Sequence, residues 1–296
     1  MNHNTATLGI LTVLAATISI SLSSIFAPFV YVQGSNPQTL TIFRFACFAA
    51  VCGAWLVFRG TPTMVSRRNL AHCIGAGIIY TIGSASLITA FAYIPVTLSV
   101  LILYLFPLLT RFGESLFEKR WPSVAEVACL VAALVGLAIC LGLALDQLNL
   151  PGLVFSAVAA VGVAGSFLWT GRKLTAMPPT VTTFYMAVTG LIAALIFTMA
   201  TGGWALPPAK TIAILAMSAA ALSFAAGFLG MFVGVRLIGA SRAAMVMNFE
   251  PVATIILALL ILGETLSATQ LAGAALVIAA ITVAQKLPAP ELVQGE

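Results

Sequence analysis

LYLFPLLTRFGESLFEKR, residues Leu103 to Arg120, and MNFEPVATIILALLILGE, residues Met247 to Glu264, are the two stretches whose reading decides the fold. Each is a long apolar run with a proline in its interior and a glutamate at its end. Proline has no N–H to donate and its ring clashes with the preceding turn, so each run reads as a helix bent at Pro107 or Pro251. Glu118 and Glu264 mark where those helices reach water. The prolines lie 144 residues apart and the glutamates 146, which leaves one small indel between two copies. Working outward, a break at Pro95 or Gly239 precedes each copy and a final apolar helix follows it. Further upstream, TLTIFRF (Thr39 to Phe45) answers TVTTFYM (Thr180 to Met186) at an offset of 141. The chain therefore reads as two halves, residues 1–146 and 147–296.

Composition says what surrounds them. Of 296 residues, 61% are hydrophobic and 7% charged, with a mean hydropathy of +1.12. A soluble domain carries about 25% charged residues. Thirteen Lys/Arg and eight Asp/Glu are too few to coat a water-exposed surface, so lipid must cover most of the chain. The apolar runs are continuous where barrel strands would alternate, which excludes a β-barrel. The expectation is an all-α membrane protein of ten transmembrane helices, near residues 8–30, 37–58, 69–91, 95–117, 122–144, 149–172, 178–201, 209–236, 239–262 and 267–286. The first run is too long for a signal-peptide core and lacks a basic flank, so it counts as a span. These helices consume nearly the whole chain and leave no room for a soluble catalytic domain. Five cysteines, Cys47, Cys52, Cys73, Cys129 and Cys140, all fall in apolar stretches and read as small core residues.

The basic residues orient the helices. With the N-terminus cytoplasmic, Arg59, Arg67, Arg68, Lys119, Arg120, Arg172, Lys173, Arg236, Arg242 and Lys286 fall on the cytoplasmic side and only Lys210 outside. Missing or adding one helix would scramble that asymmetry. Five helices per half is an odd number, so the second half enters the membrane from the opposite face. Inverted halves related by an axis in the membrane plane are a signature of secondary transporters, with a site near the midplane between them.

The mid-helix Pro followed about a dozen residues later by Glu in both halves, with Arg44-Phe45 in the second span, resembles the EamA-type members of the drug/metabolite transporter superfamily. Within it the chain is most like the YddG amino-acid exporters: Tyr80 in the third span, Tyr104 and Phe106 just before Pro107, and Trp169 in the sixth occupy the positions of aromatic residues there. The resemblance implies ten helices and a bacterial-type inner membrane, and since no P-loop, HExxH, CxxC pair or GxGxxG occurs where it could act, no cofactor is expected.

Residues inside the membrane that can hydrogen-bond or carry charge are where transport chemistry is expected, because an ionised side chain at that depth is costly. Glu250, just before Pro251, is the deepest acid and could meet a substrate ammonium or a proton. Arg44 could hold a substrate carboxylate or pair with an acid across the bundle, and its position in the resembled family favours a structural or gating role. Tyr80, Tyr104 and Trp169 offer π-faces and hydrogen-bonding tips, while Ser84 and Asn248 have suitable depth. The substrate-binding set is thus Tyr80, Ser84, Tyr104, Phe106, Trp169, Asn248 and Glu250, with Pro107, Pro251 and Arg44 as gating or hinge residues. Arg111 and Glu114 share a helix face and are expected to pair. Glu126 reads as a helix-start acid, and His72 as interfacial.

The functional expectation is a secondary transporter exporting aromatic and other neutral amino acids by alternating access. The alternative is a proton-coupled drug or cationic-metabolite exporter working through Glu250. Its partners would be the lipid bilayer and a small-molecule substrate, not nucleic acid. The termini would be cytoplasmic, and a monomer would suffice.

Overall fold

The computed structural model describes residues 3–118, 121–141, 149–206 and 211–286, and all regular structure in them is helical. In chain order the helices are α1 (His3–Val32), α2 (Pro37–Phe58), α3 (Arg67–Ala90), α4 (Val96–Leu103), α5 (Phe106–Phe117), α6 (Val124–Leu141), α7 (Leu150–Lys173), α8 (Pro179–Thr201), α9 (Thr211–Ile238), α10 (Ala240–Met247), α11 (Glu250–Leu257) and α12 (Ala268–Lys286). A π-helical turn, Ala258–Leu262, continues α11. Lys119, Arg120 and Lys210 lie outside the described residues.

Among the described residues, eight helical segments are long and apolar enough to cross a membrane, with α4 and α5 together forming one of them. Two further apolar helices, Val124–Cys140 and Glu250–Leu262, are shorter.

Local chemistry sets the ends. Asn36 caps α2 by accepting from the Thr39 N–H at 2.9 Å, and Pro37 occupies the first turn, where no N–H is needed. Ser66 caps α3 and Asn149 caps α7 in the same way. α6 and α12 start with reciprocal boxes. Ser123 Oγ accepts from the Glu126 N–H at 3.2 Å while Glu126 accepts from the Ser123 N–H at 2.8 Å. Ser267 and Gln270 repeat that exchange at 3.2 and 2.9 Å. The second box lies 144 residues after the first, the spacing of the two prolines. Glu126 is thus the helix-start acid expected, and it does one thing more: it pairs with Arg111 at 3.3 Å. This corrects the expected Arg111–Glu114 pair, since Glu114 faces outward on α5 whereas Arg111 turns inward, where it also donates to the Ala284 carbonyl of α12.

The two bent helices are fully interrupted. The turns at Tyr104 and Leu105, and at Asn248 and Phe249, separate α4 from α5 and α10 from α11, with each proline in the first turn of the following helix.

Lipid offers no hydrophobic drive between helices, so packing relies on small residues and polar stitches. α3 crosses α7 where a Cβ on Gly162 would lie 2.8 Å from the Gly83 Cα, and α6 crosses α12 where one on Gly136 would lie 2.7 Å from the Gly273 carbonyl oxygen. Ser19 and Ser23 of α1 donate to the carbonyls of Ser223 and Ala220 on α9 at 2.9 and 2.7 Å. The most extensive helix contacts are α1 with α9, α3 with α7, α6 with α12 and α2 with α8, each joining the first half of the sequence to the second. The five cysteines are free thiols, four of them buried.

Candidate functional site

A cavity of about 400 Å³ lies where the two interrupted helices face α1, α3, α7 and α9. Its position follows from the prolines. Because Pro107 and Pro251 donate nothing, the carbonyls four residues earlier, Leu103 and Met247, lose their helical partners. Leu103, Met247 and Pro107 all line the cavity. The same breaks deliver Tyr104 and Phe106 from one side and Asn248 and Glu250 from the other.

Polar and charged groups from both halves of the sequence line the cavity. Glu250, in the first turn of α11, comes from the second half, and Tyr104 of the first half lines the same cavity. The Glu250 backbone is held as well, since its carbonyl accepts from Ser21 at 3.3 Å and Ser21 accepts from Thr254 at 3.0 Å. Arg44, on α2, is 4% exposed and holds its guanidinium carbon 4.0 Å from the centre of the Phe224 ring, a cation–π contact. Its Nε and Nη1 are buried without a hydrogen-bond partner. Asn248 donates to Gln285 at 2.6 Å where the cavity reaches the end of α12.

Of the residues expected from sequence, the fold brings Tyr80, Ser84, Tyr104, Phe106, Asn248, Glu250, Arg44 and Pro107 to this one cavity. Pro251 is buried beside it. Trp169 is elsewhere: its indole N–H donates to the His72 carbonyl at 3.1 Å and its ring packs over Gly75. The aromatic α7 supplies to the cavity is Phe167, two residues earlier, whose ring lies 5.4 Å from that of Phe106. Sequence reasoning also missed Phe224 and Phe228, one turn apart on α9 with centroids 5.0 Å apart, and Gln285. A phenylalanine pair in a helix that is apolar all round gives no signal. Gln285, one residue from Lys286, read as the end of a span.

The arrangement can enclose a small amphipathic molecule with one negative pole, one positive pole and aromatic walls between. Charged groups from both halves face one enclosed space, which suits a translocated solute.

Known proteins agree with a transport fold. The profile of the EamA-like transporter family matches residues 7–142 and again 150–284. An uncharacterized transporter of Bacillus subtilis (strain 168), YcbK, is 24% identical over 294 residues, covering 94% of this chain and 92% of its own. A solved crystal structure shares the fold with a TM-score of 0.64 at 20% identity, covering 94% of this chain and 99% of that one.

Proposed function

The chain belongs to the EamA-like transporter family, and from that premise we propose that it is a secondary transporter exporting neutral amino acids, aromatic ones included, by alternating access through the 400 Å³ cavity. The observation that carries this reading is the meeting of both helix breaks at one cavity lined by Tyr80, Tyr104, Phe106 and Glu250. Interrupted helices at a midplane site are how transporters present backbone groups to a solute inside lipid. Ten crossings in two inverted halves of five suit the contacts. If each half repeats, α1 corresponds to α7 and α9 to α3, so the α1–α9 and α3–α7 pairs exchange, while α2–α8 and α6–α12 map onto themselves. The doubled family match and the doubled capping boxes support the same duplication. The skew of basic residues supports cytoplasmic termini, and the resemblance to the YddG exporters supports a bacterial-type inner membrane and the amino-acid class.

In the mechanism proposed, a solute enters from the end where Gln285 lies, while the other end is tied shut. There, Glu264 accepts from the N–H groups of Val96 and Thr97 at 2.7 and 3.2 Å, tying the end of the second half's bent helix to the start of α4. The loop after α1 is tied to the loop after α8, with Ser35 donating to the Ala205 carbonyl and Asn36 to that of Gly203. Flexing at the breaks would release this end as the opposite one closes. The test is a panel of unlabelled amino acids competing with labelled phenylalanine in proteoliposomes of the purified protein. Competition by unlike neutral side chains is expected, and no uptake of any amino acid would sink the reading.

Glu250 in the cavity also favours a second reading, a proton-coupled exporter of cationic solutes. There an imposed pH gradient would accelerate flux in the wild type and not in Glu250→Gln. Facilitated diffusion predicts no acceleration in either.

A further inference from the structure

We infer that Arg44 and Glu250 are the two poles of one zwitterion site, Arg44 receiving the substrate carboxylate and Glu250 its ammonium, so that a single molecule bridges the two halves. This rests on the transport reading above and specifies how its substrate is recognised.

The guanidinium of Arg44 decides it. It is buried, and two of its nitrogens, Nε and Nη1, have no acceptor, Glu250 included. A buried cation is normally paired, and in a membrane the demand is stronger. Phe224 satisfies only the face of the guanidinium, at 4.0 Å. The N–H bonds lie in the plane of the group, so the ring cannot accept them, and their fork matches a carboxylate. The Tyr31 hydroxyl donates to the Ile88 carbonyl at 2.6 Å, and neither Nε nor Nη1 of Arg44 donates to its oxygen. Arg44 lines the cavity, and within the protein these two donors are left without an acceptor, so a carboxylate entering there would meet a guanidinium in need of a partner.

The opposite pole is equally specific. Glu250 lines the same cavity from the second half, as do Tyr104, Leu103 and Met247, and the prolines leave the carbonyls of the last two without a helical partner. Those are acceptors suited to an ammonium. A plain cation would meet Glu250 but be repelled by Arg44 and leave its donors empty, and a plain anion would do the reverse. Only a molecule with both charges satisfies both walls, and Phe224, Phe228 and Phe106 leave room between them for an apolar or aromatic side chain.

The experiment measures binding to the purified full chain with three probes sharing one side chain: L-phenylalanine, phenethylamine and 3-phenylpropanoate. Wild-type protein is expected to prefer phenylalanine to either half-molecule. Arg44→Gln should weaken phenylalanine by about tenfold or more while leaving phenethylamine within about twofold. Glu250→Gln should weaken phenylalanine likewise and spare 3-phenylpropanoate. Should Arg44→Gln fail to fold, Arg44→Lys, which keeps the charge and loses the fork, should retain the preference for phenylalanine over phenethylamine at reduced affinity. An equal loss of phenylalanine and phenethylamine in the Arg44 variants would show a structural arginine and overturn the inference with the transport reading intact. Wild-type protein that binds none of the three would overturn the amino-acid reading itself, and this inference with it.

Discussion

Arg44 and Glu250 stand out because an apolar bundle can house few charges, and those it houses must face something other than lipid. This made both legible as candidates in the sequence, while their separation by some 200 residues hid that they share a cavity. Tyr104 was legible for its place before Pro107, yet its meeting with Glu250 at one cavity was not. Removing only the hydroxyl in Tyr104→Phe should cut amino-acid uptake in proteoliposomes by about tenfold, since a cavity-lining hydroxyl that hydrogen-bonds a charged solute is worth about 1.5–3 kcal/mol. The melting temperature should move little, because the ring stays packed against Phe106. Trp169 shows the opposite error. Its helix was placed correctly and its face was not, since neighbours on a helix point about 100° apart and two positions decide between cavity and periphery.

At the scale of elements, proline acts by a local rule, and its proposed use is as a hinge. A helix that loses one internal bond and gains a clash gives up about 3 kcal/mol, and both bent helices accept that at matching positions. Restoring the missing donor in Pro251→Ala should raise the melting temperature by several degrees and slow uptake, as α10 and α11 fuse. An unchanged rate would mean the break is no hinge. Gly162 makes the contrasting case. A side chain there meets the Gly83 backbone, so Gly162→Leu should force α3 from α7 and lower stability by roughly 1–3 kcal/mol or more, read by thermal unfolding in detergent. The capping boxes at Ser123 and Ser267 were readable from spacing alone, whereas the π-helical turn at Ala258–Leu262 had no sequence signature.

At the scale of the whole molecule, the proposed count and orientation of helices can be checked directly. In a cysteine-free background, Met64→Cys and Trp121→Cys, at 97% and 93% exposed positions, should react with an impermeant maleimide from the cytoplasmic side. Val32→Cys and Trp204→Cys should react only from outside. Labelling of Val32→Cys and Met64→Cys from one side would refute the alternation.

The sequence by itself determined the membrane class, the helix starts and stops, the doubled Pro–Glu pattern and the charged residues worth watching. Each of these follows from composition or from interactions within a few residues. Only the tertiary structure decided that Arg44 leans on Phe224, that Tyr104 meets Glu250, that Glu264 closes onto the start of α4, and that Phe167 replaces Trp169 at the cavity. Those are contacts between helices distant in the chain, fixed by how closely small residues let helices approach. In a helix apolar on every face, no periodicity tells which face looks inward.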